Sequence, residues 1–87
     1  MLTYKDCVDA TGLEEGEIEA IAQHEHLPEI VAAELGYGLA QQTGGEQIID
    51  QMIRDDIKTA KQPETAMRWQ TVLDRFESNH QIGTQSV

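Results

Sequence analysis

Thr43-Gly44-Gly45-Glu46-Gln47-Ile48-Ile49-Asp50-Gln51-Met52-Ile53-Arg54-Asp55-Asp56-Ile57 decides the fold. Ile48, Ile49, Met52, Ile53 and Ile57 recur at three- and four-residue spacing, the period of an amphipathic helix and not the alternation of a strand. Thr43 stands three residues before Glu46, a capping-box spacing that predicts where the helix opens. Gln62-Pro63 ends it and begins the next, since proline is favoured in a first helical turn. There Ala66, Trp69, Val72, Leu73 and Phe76 make a core-facing row, and Glu64 can pair with Arg68 one turn later.

Working back toward the N-terminus, Pro28 separates two more apolar periods. The residue before a proline avoids helical geometry, so the pattern predicts a break there rather than one kinked helix. After it, Ile30, Val31, Leu35 and Leu39 form a stripe; Gly36 and Gly38 either permit close backbone approach or weaken the last turn. Before it, Thr11 and Glu14 have capping-box spacing, and Ile18, Ile21 and Ala22 define the buried side of a helix ending near His26. Thr3 and Asp6 predict a short first helix over Tyr4 to Ala10, stopped by Gly12. The expectation is an all-α bundle of four main helices plus that short N-terminal helix, one domain over residues 1–81 with a disordered tail at 82–87.

Composition narrows the function classes. The 87 residues suit a single domain with a modest core, which gains from a partner, and a homodimer is the natural one. Cys7 is the only cysteine, which excludes an internal disulfide and disfavours a cysteine-built zinc site; it reads as a small buried hydrophobe. With neither a signal-like N-terminus nor a long apolar run, the expected setting is a reducing cytoplasm, away from membranes. Sixteen acidic against six basic residues give a formal net charge of −10, which repels nucleic-acid phosphates. Residues 1–42 hold nine of the acids and a single basic residue, Lys5, so one face should suit a basic partner surface.

Gln23-His24-Glu25-His26-Leu27-Pro28-Glu29 concentrates two of the three histidines and two carboxylates beside the helix break. At about 100° per residue, Glu25 falls on the apolar stripe of its helix, Glu34 on that of the next, Asp56 amid Ile49, Met52, Ile53 and Ala60, and His80 in the row of Trp69, Leu73 and Phe76. Inward carboxylates require a compensating cation or strong hydrogen bonds. Glu25, His26, Glu34 and Asp56 are therefore candidate metal ligands, with His24, Glu29, Glu77 and His80 as weaker ones. Mixed imidazole and carboxylate donors suit iron, manganese or zinc. Glu77-Ser78-Asn79-His80 has the Glu-x-x-His spacing of di-iron bundles, in one copy only. Plainer roles compete with each. His24 and His26 suit a helix C-terminus through the macrodipole, Glu25 and Glu34 can sit at stripe edges, and His80 can be a half-exposed terminal residue. Asp56 can pair with Arg54, Lys58 or Arg75 across a dimer.

No phosphate loop, zincin motif, nucleophilic cysteine pair or basic recognition helix is present, and a non-enzymatic interaction or regulatory protein is the leading expectation. The segment Ala22-Gln23-His24-Glu25-His26-Leu27-Pro28-Glu29-Ile30-Val31-Ala32-Ala33-Glu34-Leu35-Gly36, with Met52-Ile53-Arg54-Asp55-Asp56-Ile57, resembles a group of short uncharacterised bacterial helical proteins. The resemblance implies a bacterial cytosolic protein and carries over no activity and no functional residue.

Overall fold

A computed structural model describes Asp6 and residues 12–80 of the chain. Four helices follow in order: α1 (Glu15–Glu25), α2 (Glu29–Gln41), α3 (Gly45–Thr59) and α4 (Pro63–His80), with no strand among the described residues. The expected short helix over Tyr4–Ala10 and the expected tail lie outside the described residues. None of the described helices is long and apolar enough to cross a membrane.

α3 is the organising element, packing on α4, α1 and α2, while α1 also packs on α2. Ile18 and Ile21 of α1, Ile49 and Ile53 of α3 and Phe76 of α4 are fully buried at the centre, with Leu13, Met52, Trp69 and Leu73 around them. Each such side chain contributes about 1.5–3 kcal/mol of burial, so this small set dominates cohesion. Ile48, expected inside with its neighbours, is instead 45% exposed. It lies one residue, about 100°, off the buried row of Ile49, Met52, Ile53 and Asp56.

The helix ends differ from the expected capping boxes in register. α1 starts after Glu14, whose backbone is extended, and the Glu17 carboxylate accepts the Glu14 N–H at 2.9 Å. The capping carboxylate is thus Glu17, three residues beyond the expected Glu14. Glu14 itself takes a two-pronged contact from Arg75, at 2.9 Å to each oxygen, which clasps the start of α1 to the end of α4. Arg68 bonds Glu19 across helices rather than Glu64 along its own. α3 opens at Gly45 after Gly44, not after Thr43, because the chain turns through a left-handed residue at Gly44 (φ 82°). At Gly45 a Cβ would lie 1.6 Å from the Leu39 carbonyl oxygen, so only glycine lets α3 leave α2 this closely.

The chain breaks at Pro28 as expected, with α1 closed by His26 in the left-handed conformation (φ 58°) and Pro28 preceding the first turn of α2. The larger departure is the rotation of α2. Its buried side is Ala32, Ala33, Gly36 and Leu39, while Ile30 and Val31, expected inside, are each 39% exposed. Small residues win because they admit Leu13, just before α1, and Ile21 within it: at Gly36 an added Cβ would meet Leu13 Cδ1 at 2.8 Å and Ile21 Cδ1 at 3.2 Å.

Candidate functional site

The C-terminal end of α1 and the last turns of α3 lie side by side and enclose a cleft of about 560 Å³. Gln23, His24 and His26 line it from α1, Asp55, Asp56, Lys58 and Thr59 from α3, and Lys61 from the following loop. The periodicity that buries Ile49, Met52 and Ile53 carries Asp56 inward on the same face, leaving it 3% exposed. Its Oδ2 is buried without a hydrogen-bond partner. Burial disfavours the charged form and raises the Asp56 pKa to about 6; the facing imidazoles of His24 and His26 pull against that rise, and neighbouring Asp55 adds to it.

His24 spans the two helices. Its Nδ1 lies 2.7 Å from Glu25 Oε2 and its Nε2 3.0 Å from Asp55 Oδ2. Ionised carboxylates only accept, so both ring nitrogens must donate and the geometry favours imidazolium. Burial works against that charge, but the two hydrogen bonds and the adjacent Asp56 outweigh it and raise the His24 pKa. Asp55 is correspondingly held low by the Gln51 amide, at 2.9 Å, and by His24.

The expected metal quartet does not assemble. Glu34 is exposed on α2, since its helix turns the alanine and glycine face inward; Glu25 is exposed and engaged by His24. His26 and Asp56 do reach the same cleft, joined by His24. Among the described residues, no three His, Cys, Asp or Glu side chains are grouped so as to hold a metal ion. Of the weaker candidates, Glu29 is exposed. Glu77 accepts from Arg54 and has a raised pKa, first through burial and then through its hydrogen bond with Asp50. His80 donates from Nδ1 to the Phe76 carbonyl at 3.0 Å, with its ring 4.3 Å from that of Phe76.

Sequence reasoning missed the buried carboxylates of Glu17 and Asp50, and the cleft roles of Asp55, Lys58 and Lys61. Asp55-Asp56 at the end of the strongest helical period was the available signal; the approach of His24 was not, because it depends on how two helices cross. Fold and cleft together define a small protein, all-helical over the described residues, with a cleft lined by side chains of both charges where two helices end. Compared with protein-family models, curated proteins and solved structures, the chain finds no match.

Proposed function

We propose that this protein is a small acidic interaction module that acts as a homodimer through the outer face of α2 and meets a basic partner surface with its acidic side. The observation that carries the reading is the apolar exterior of α2. Ile30, Val31 and Tyr37 are exposed there, Tyr37 at 46%. The exposed positions 30, 31, 34 and 37 repeat the spacing of the buried positions 32, 33, 36 and 39 closely but lie two residues away, about 200° round the helix. A helix that is apolar on both sides is one that is covered on both sides. α1 and α3 cover one; a second α2 fits the other, since among its exposed positions 30, 31, 34 and 37 this face carries only Glu34 as a formal charge, which keeps repulsion between two acidic copies small there.

Sedimentation equilibrium tests this. The natural chain is expected to be dimeric at micromolar concentration, and the paired exposed changes Ile30→Lys and Val31→Lys to give a folded monomer. A natural chain that is monomeric throughout, or a double variant with unchanged mass, would overturn the reading.

The alternative function, a bundle holding iron, manganese or zinc for storage, sensing or redox chemistry, is supported by the meeting of His24, His26 and Asp56 in one cleft. It has lost Glu34 and Glu25 as inward donors, which leaves it the weaker reading.

A further inference from the structure

Asp56 presents a problem that the α2 interface does not solve. A carboxylate 3% exposed with a buried, unpartnered Oδ2 is rare in a folded protein and calls for a cause. Its own helix supplies none: Arg54, one of the expected partners, is committed to Asp50 at 2.8 Å and to Glu77. Arg75, another, is committed to Glu14. The third, Lys58, stands with Lys61 on the lip of the cleft, and both are exposed.

The cleft is polarised. Its floor carries Asp55 and Asp56; Asp55 is already held by His24, so Asp56 is the negative charge there that lacks a hydrogen-bonded cation. That floor favours a cation able to donate hydrogen bonds. The lip carries Lys58 and Lys61, which disfavour a ligand that is cationic throughout and favour one with an anionic end. A bare divalent ion lacks a grouped set of three ligands here. A volume of about 560 Å³ lies within the range of small-molecule sites.

We propose that this cleft binds a small aminocarboxylate, with the ammonium group donating to Asp56 on the floor and the carboxylate held between Lys58 and Lys61 on the lip. Binding turns the orphaned carboxylate into a paired one, and both ligand charges find their complement. None of the cleft residues belongs to α2, so occupancy and dimerisation can be measured separately.

The test is an amide chemical-shift titration of the full chain with γ-aminobutyrate, alongside butyrate, n-butylamine and zinc chloride. Saturable shifts at His24, His26, Asp56, Thr59 and Lys61 are expected with γ-aminobutyrate, weaker binding of n-butylamine by about tenfold, and none of butyrate. Asp56→Asn, which keeps the shape and removes the charge, should weaken γ-aminobutyrate by about tenfold or more. Should that variant fail to fold, the exposed pair Lys58→Ala and Lys61→Ala carries the test: it should erase the preference for γ-aminobutyrate over n-butylamine. Equal binding by Asp56→Asn, a response to butyrate as strong as to γ-aminobutyrate, or a preference that survives loss of both lysines would overturn the proposal. So would zinc alone shifting these amides while γ-aminobutyrate does not, an outcome that would favour the metal reading.

Discussion

At Asp56 the folded protein disfavours its own charge. Burial raises the carboxyl from an ordinary value of 3.8 to about 6, a difference of about 3 kcal/mol between the two protonation states. A carboxyl whose folded value lies above its unfolded one adds stability while protonated, and that contribution fades as the pH climbs from the unfolded to the folded value. His24 acts in the same direction. Its value is raised above 6.5 in the folded state, so its ion pairs stabilise fully below that pH and are lost above the raised value. Glu14 and Asp55, both held low, set the opposite limb, which appears only as the pH falls toward their range. The chain should therefore resist urea better near about pH 5 than near about pH 7.5, and Asp56→Asn should raise stability at the higher pH by about 1–3 kcal/mol with little effect at about pH 4. A variant equally stabilised at both pH values would show that Asp56 is not titrating as described. The inward position of Asp56 was legible because α3 has a sharp helical period. Glu17 was not, because its carboxylate answers a backbone N–H whose location depends on where α1 starts, and the capping-box spacing at Thr11 and Glu14 placed that start too early.

Among elements, α2 taught the most. Hydrophobicity alone places Ile30 and Val31 inward, but the core of α1 needs close approach, and close approach selects the narrowest face. That face, Ala32, Ala33 and Gly36, was readable as small residues at helical spacing; which of two apolar faces turns inward was not, since the choice rests on the shape of the partner helix. The same distinction separates two glycines. Gly38 has nothing within 4 Å of where a Cβ would stand, whereas at Gly45 a Cβ would overlap the Leu39 backbone. Gly38→Ala should therefore stabilise by about 0.5–1 kcal/mol through helix propensity. Gly45→Ala should destabilise by about 3 kcal/mol or more, because no side chain can rotate aside to relieve a backbone clash. Thermal denaturation of the two variants checks both signs, and a tolerant Gly45→Ala would mean that the α2–α3 junction is looser than described.

For the whole molecule the governing quantity is charge. Arg54 pairs with Asp50 along α3 and with Glu77 of α4, Arg68 and Arg75 of α4 pair with Glu19 and Glu14 at the other side of the bundle, and the chain still carries a formal −10. Bringing two copies together doubles that charge within one particle, so a dimer formed through α2 must work against long-range repulsion while gaining apolar burial over a short range. Salt weakens the first and leaves the second nearly untouched: exposed charges are screened over about 8 Å near physiological ionic strength, against about 30 Å at 0.01 M. Dimer dissociation should accordingly become weaker, by about tenfold, as sodium chloride is raised from low to physiological concentration, and Glu34→Gln should reduce that dependence by removing the one formal charge in the face. Sedimentation equilibrium across a salt series measures both. Dissociation that strengthens with salt would mean that opposite charges hold the subunits together, and would move the interface from α2 to the surfaces where acidic and basic side chains meet.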